Sequence, residues 1–271
     1  MPVSLNYTGF QYVTDEELAA HYENSQENRM NLKYNEFILT SNGSKLRFKN
    51  NELILAAGRT LQSNYIGKVK AQNNEQEMAL DLLLDYDVKC VVLTGQAGCG
   101  KTFLTAQAGL YEVENKVYDK IFYTRNHVEV GKPLGALPGD VLEKIKPYCS
   151  SIVDQISGWV VMYDLIERNM IEIEAISFLQ GRDLKNYFII VDEAQNINKE
   201  QVKMLLTRVG EGSKIVLCGD LQQTANNEFR NGNNGLEYLI EKFAGVTELF
   251  GIVELQQSVR SDLAKLAAEL L

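Results

Sequence analysis

The chain has 271 residues, 45% of them hydrophobic and 23% charged, and a formal net charge of −9. That composition fits an ordinary globular protein with room for one sizeable domain and a small companion. It excludes a protein coated by a basic polyanion-binding face, so any contact with nucleic acid has to be local.

The first 70 residues and the rest read differently. A polar stretch, ENSQENRMNLKYN, precedes EFILTSNGSKLRF, in which two β-prone runs flank Asn42-Gly43, a two-residue hairpin signal. A further apolar run, Leu53 to Ala57, ends at Gly58. Residues 1–70 are therefore expected to form a small β-rich connector module. A packing extension of the main core and a functional arm are both open readings of it.

From Ala71 onward strands and helices alternate, the pattern of a parallel sheet covered by helices. EQEMALDLLLDY carries apolar residues at helical spacing, and CVVLTG is a short apolar strand ending in Gly95. KTFLTAQAGLYEVEN reads as a helix, KIFYTR as a second strand, YFIIVDE as a third and SKIVLCGD as a fourth. Helices are expected over VLEKIKPYCSSIVDQISGWV, over NKEQVKMLLTRVG with a stop at Gly210, and over the closing LAKLAAELL. No run of about 18 apolar residues is present to span a membrane. The opening MPVSLNYTGF lacks the basic and apolar regions of a secretory leader. A cytoplasmic protein is expected.

Gly95, Gln96, Ala97, Gly98, Cys99, Gly100, Lys101 and Thr102 fit the pattern G-x-x-x-x-G-K-[ST], with a buried strand before and a helix after. Such glycines let the loop curl until several backbone N–H groups face one phosphate, and the helix adds its positive end. Lys101 would neutralise the β- and γ-phosphates of ATP, and Thr102 would offer its hydroxyl to Mg²⁺. Cys99, inside the loop, is either a filler or a thiol activated by the helix N-terminus. Cys90, Cys149 and Cys218 form no C-x-x-C pair and no group with His21 or His127, so neither disulfides nor a thiolate metal site is expected.

A phosphate loop needs a carboxylate strand to hold its metal, and YFIIVDEAQN supplies one. Asp192 is placed for Mg²⁺ and Glu193 to polarise the attacking water. The fourth strand runs into CGDLQQT, where Gln223, with Gln222 second, is the candidate sensor of the γ-phosphate.

Together GQAGCGKT, TRNHVEVGKPLGALPGD, GRDLKNYFIIVDEAQN, LLTRVGEGSKIVLCGD and SVRSDLAKLAAELL resemble the PhoH family, ATPases related to the first RecA-like domain of superfamily 1 helicases. The resemblance covers about residues 70–271. It implies an α/β fold: a RecA-like parallel sheet with helices on both faces, as a P-loop NTPase domain over 71–271, preceded by the β-rich module. YTGFQYVTDEELAAHY and NEFILTSNG further resemble the connector that follows a PIN ribonuclease domain in one branch of the family, so the chain is expected to match the ATPase half alone. The resemblance implies adenine contact by Gln76, nucleic-acid contact or coupling at Thr124 and Arg125, and an Arg260 close to the γ-phosphate, in reach of a neighbouring subunit. Arg182 and Arg208 match family positions, with structural and functional readings both open. Asn126 stands where the family usually has proline, and Leu221 where it has proline or valine.

Three functions compete: an ATP-driven motor on single-stranded RNA or DNA, a regulatory ATPase switch on a partner protein, and a small-molecule phosphotransferase. The acidic pair and the GDLQQ segment suit water as acceptor, which disfavours the third. The acidic balance favours the switch and the resemblance favours the motor, which is the reading adopted. A motor with one core must assemble, so a homo-oligomer is expected, a hexameric ring by resemblance.

Overall fold

The computed structural model describes residues 7–23, 27–56, 58–126, 149–179, 181–223 and 234–257. At its centre is a six-stranded sheet in which every pairing is parallel. Its strands are β7 (Cys90–Thr94), β8 (Lys120–Arg125), β9 (Ile171–Ile173), β10 (Tyr187–Asp192), β11 (Lys214–Gly219) and β12 (Phe250–Glu254), in the order β12-β7-β11-β10-β8-β9.

Helices cover both faces, which is why the central strands read as unbroken apolar runs. After an N-terminal helix α1 (Asp15–Glu23), two helices, α2 (Asn74–Leu83) and α3 (Lys101–Glu114), cover the core joined by Val91, Leu93, Ile121, Ile190 and Val216. Cys90, Val92, Phe122, Ile189 and Leu217 join the opposite core. That second core lies beneath helices over Lys199–Leu206 and Gly235–Phe243. Local signals fix the helix starts. Asn73 accepts the Gln76 N–H at the head of α2, and Asn198 with Gln201 forms a reciprocal capping box before Lys199.

The N-terminal residues form a sheet β1-β2-β3-β4, with β1 at Phe10–Val13, β2 at Phe37–Thr40, β3 at Lys45–Lys49 and β4 at Glu52–Leu55, and then a hairpin β5-β6 over Thr60–Ser63 and Gly67–Lys70. This layer is fastened to the main core. Phe10 and Phe37 are buried in the same cluster as α2 and α3. The Asn35 amide donates to the carbonyls of Glu248 and Phe250 at 2.7 and 2.9 Å. Arg47 pairs with Asp81 at 3.1 Å and with Asp85, which also takes Lys49 at 2.7 Å. Burial pushes the Asp85 carboxyl up, but these cations outweigh it and hold it at about 2. The packing-extension reading of the module thus has direct contacts behind it.

Four local expectations change. The β2–β3 turn is a three-residue loop, Ser41 to Gly43, closed by Gly43 N–H to Thr40 O at 2.9 Å and Thr40 N–H to Ser44 O at 3.0 Å. A two-residue type I′ turn needs positive φ at both central positions, and here Gly43 has it (φ 81°) while Asn42 does not. The expected helix through residues 141–160, whose first part lies outside the described residues, breaks where Ser157 and Gly158 both take positive φ, and a new helix runs over Trp159–Glu167. β9 and β12 were not expected, being short edge strands with little periodicity to betray them. The helix expected to stop at Gly210 ends at Leu206, and the closing LAKLAAELL lies outside the described residues.

Candidate nucleotide-binding site

Parallel strands bring their C-terminal ends to one edge, where ligands of open α/β sheets bind. The loop after β7 and the acidic pair after β10 sit there on either side of β11. Gly95, Gly98 and Gly100 adopt φ of 132°, 87° and 96°, and a Cβ on Gly95 would fall 2.2 Å from the Leu255 carbonyl oxygen. Only glycine fits that turn. α3 begins at Lys101 with no side chain capping its first turn, so its free N–H groups and positive end face the loop.

A cavity of 530 Å³ opens beside the loop, with Gln76, Lys101, Thr102, Asp192, Glu193 and Gln223 in its wall. The Lys101 ammonium lies across its own loop, donating to the carbonyls of Gly95 at 2.6 Å and Gln96 at 3.0 Å. Thr102 donates to Asp192 Oδ1 at 2.9 Å. Asp192 Oδ2 accepts from Tyr123 and from Ser151, each at 2.9 Å. Asp192 is only 3% exposed, and a buried carboxylate needs this many donors to hold its charge. Burial, with the Asp192 charge behind it, pushes the Tyr123 phenol far up, so it remains a protonated donor. Thr102 Oγ1 and Asp192 form a hard-oxygen pair of the kind Mg²⁺ takes together with phosphate and water.

Glu193 follows β10 in a left-handed conformation, φ 51° and ψ 43°, uncommon for a residue with a side chain and concentrated at functional sites. Its Oε2 accepts from Gln195 Nε2 at 2.6 Å, and its Oε1 lies 3.7 Å from Arg125 Nη2. Gln195 Oε1 accepts the Asp220 N–H at 3.0 Å, wiring the acidic pair to the loop after β11. On that loop Gln223 faces the nucleotide cavity, whereas Gln222 lines a neighbouring cavity with Gln96.

The other expected residues divide. Gln76 is buried against the loop, its amide donating to Cys99 O at 3.3 Å and accepting the Gln72 N–H at 2.9 Å. Cys99 is buried, and burial pushes its thiol up despite Lys101, which opposes an activated thiolate and leaves packing as its role. Thr124 is fully buried, and its hydroxyl has no hydrogen-bond partner among the described residues; Arg125 is partly open. Arg182 pairs with Glu172 at 2.6 Å and Glu174 at 2.8 Å and covers the Phe122 ring, which gives it a structural part. Arg260 and the segment Gly135–Asp140 lie outside the described residues.

Sequence reasoning missed Tyr123, Ser151 and Gln195, and also Lys70, Gln72 and Phe103 of the cavity wall. Phe103 directly follows the loop and could have been flagged; Ser151 carries no local signal at all.

A curled glycine loop feeding a helix, with a strand-end Asp-Glu pair across one intervening strand of a parallel sheet, defines a P-loop protein of RecA-like fold. The family model described as "PhoH-like protein" matches residues 68–271, and the chain belongs to the PhoH family. It is 43% identical over 215 residues to Protein PhoH2 of Bacillus subtilis (strain 168), covering 76% of this chain and 48% of that protein. It is 38% identical over 209 residues to Protein PhoH2 of Mycolicibacterium smegmatis, covering 75% of this chain and 47% of that one. The chain thus spans about half the length of these curated relatives. Among solved structures, the Pif1 helicase from Candida albicans aligns with a TM-score of 0.40 at 18% identity, covering 74% of this chain and 43% of that one. The Pif1 helicase from Bacteroides, crystallised with ADP-AlF3 and ssDNA, aligns at 0.38 and 16%, covering 72% of this chain and 44% of that one. Among the described residues no helix is long and apolar enough to cross a membrane.

Proposed function

We propose that the chain binds ATP with Mg²⁺ and hydrolyses it, at a rate governed by a single strand of RNA or DNA, as a helicase-like motor. The observation that carries the hydrolytic reading is the convergence on one cavity of Lys101, the Thr102–Asp192 pair and the constrained Glu193. Lys101 leaves the loop carbonyls to neutralise the β- and γ-phosphates, while the loop N–H groups hold them in place. Thr102 and Asp192 would hold the metal, and a bound Mg²⁺ would supply positive charge to offset that of the phosphates. Glu193 orients a water whose oxygen attacks the γ-phosphorus and receives its proton, while the bond to the ADP oxygen breaks. Gln223 reports the γ-phosphate, and Gln76 borders the end of the cavity where the base would lie.

The family resemblance supports a homo-hexameric ring in which Arg260 serves a neighbour's site. An arginine given in trans is worth about 10³ to 10⁵ in rate. The net charge of −9 supports the second reading, a regulatory switch that acts on a partner protein without moving along a strand. One experiment separates them: phosphate release with and without single-stranded RNA or DNA, beside native mass determination. Stimulation by a strand from an oligomer supports the motor; a monomer indifferent to any strand overturns it.

A further inference from the structure

We infer that Arg125 is a shared anchor: it holds Glu193 in the strand-free protein, and a phosphate of a bound single strand takes it over and frees Glu193 for the attacking water. This rests on the nucleic-acid-dependent reading above, and it adds the coupling that reading lacks.

The placement begins with strand register. Arg125, the last residue of β8, is the direct partner of Asp192, the last of β10, so its side chain leaves the sheet beside Glu193. The next residue, Asn126, is itself tied down, its amide donating to the Asn196 carbonyl. The left-handed backbone of Glu193 fixes where its side chain is launched, and two groups then hold its carboxylate. Gln195, 2% exposed, takes Oε2. Arg125 faces Oε1, the oxygen that Gln195 leaves for a water proton.

The two holds differ in access. Gln195 is sealed in and also bound to the Asp220 N–H. The Arg125 and Glu193 side chains keep 26% and 38% of their surfaces open, and their charged atoms stand 3.7 Å apart. So open an ion pair is weak. A phosphodiester offers the same guanidinium a bidentate, charge-assisted contact, so a strand laid along the sheet edge competes for Arg125 on favourable terms. Glu193 then keeps its Gln195 tether, and Oε1 is free to accept the proton. An exposed pair of this strength corresponds to about a two- to fivefold change in rate. Arg125 is a positioning residue in this scheme, since it acts through Glu193.

The test uses the full chain and measures ATP turnover with and without a single-stranded oligonucleotide, for wild type, Arg125→Ala and Arg125→Lys, with folding checked by thermal melts. Arg125→Ala is expected to raise the strand-free kcat about two- to fivefold with KM for ATP unchanged, and to lose most of the further stimulation by the strand. Arg125→Lys, which keeps a cation, should return the strand-free rate toward wild type. A residue supporting only the fold would lower kcat, not raise it. In a Glu193→Gln background Arg125→Ala should bring no gain, because nothing is left to release. A strand-free kcat of Arg125→Ala at or below wild type overturns the hold on Glu193, even if the strand still stimulates both proteins. A wild type unmoved by any strand overturns the nucleic-acid reading and the phosphate half of this scheme, while the strand-free rate of Arg125→Ala still decides the other half. If Arg125→Ala does not fold, the same outcomes are read from Arg125→Gln.

Discussion

Replacing Tyr123 by Phe removes one oxygen from a fully buried ring and leaves its shape in place. That hydroxyl is one of three that donate to Asp192 among the described residues: Tyr123 and Ser151 at 2.9 Å on Oδ2, Thr102 at 2.9 Å on Oδ1. A hydrogen bond to a charged group contributes about 1.5–3 kcal/mol. Ser151 still serves Oδ2 in the variant, so the lower figure applies, about 1.5 kcal/mol or about tenfold in an equilibrium constant. The loss should fall on whatever needs a correctly turned Asp192, which in the proposed function is metal-assisted nucleotide binding. The assay is titration with a fluorescent ADP analogue, once in Mg²⁺ and once in EDTA. Tyr123→Phe should weaken the Mg²⁺-dependent affinity about tenfold and leave the EDTA affinity within about twofold. An equal loss in both conditions would show that Tyr123 supports the loop and not the metal carboxylate, and the assignment of Asp192 would fall with it.

Lys101→Ala should weaken nucleotide binding, whereas Glu193→Gln should keep binding and cut turnover by about 10²-fold or more; equal loss of binding in both would contradict that division. Gly95→Ala forces a side chain into φ 132° and against the Leu255 carbonyl; strain of about 1–3 kcal/mol should lower nucleotide affinity by about 5- to 150-fold, and an unchanged affinity by calorimetry would refute the loop geometry. Lys214 is fully buried, donating to the carbonyls of Leu82, Leu83 and Asp85, each at 2.8 Å, and burial pushes its amine down to about 7 despite the pull of Asp85. Unfolded, it would hold its proton to about 10.4, so between these values the unfolded chain binds more protons and stability rises with pH. Urea midpoints should climb from pH 7 to 9 more steeply in wild type than in Lys214→Met, and parallel slopes would show that the three carbonyls, which together call for an ammonium, keep the proton on Lys214 against burial.

Much of the candidate site was legible because its residues are written in contiguous segments. GQAGCGKT and VDE each sit at the end of an apolar strand, and a parallel sheet gathers such ends at one edge, so the approach of Thr102 to Asp192 follows from topology. Side chains recruited across the fold were illegible. Ser151 reaches Asp192 from 41 residues away, and Tyr123 reads in sequence as one more β-prone aromatic. Gln195 looks like part of a polar turn until its two ends are seen to join Glu193 to Asp220. The choice between the two readings of Cys99 was illegible for a related reason: the helix N-terminus is visible in sequence, but the burial that pushes the thiol up is not. β12 was missed because FGIVE is short and opens on a turn-like Phe-Gly, yet its pairing with β7 is what presses Leu255 against Gly95.

The most direct test of the account is phosphate release by the purified chain in Mg-ATP, for wild type and Glu193→Gln, as single-stranded RNA or DNA is added. Wild type should hydrolyse ATP and accelerate with the strand, while Glu193→Gln binds the nucleotide and stays at least about 10²-fold slower throughout. Turnover that survives in Glu193→Gln, or nucleotide binding without any hydrolysis in wild type, would contradict it.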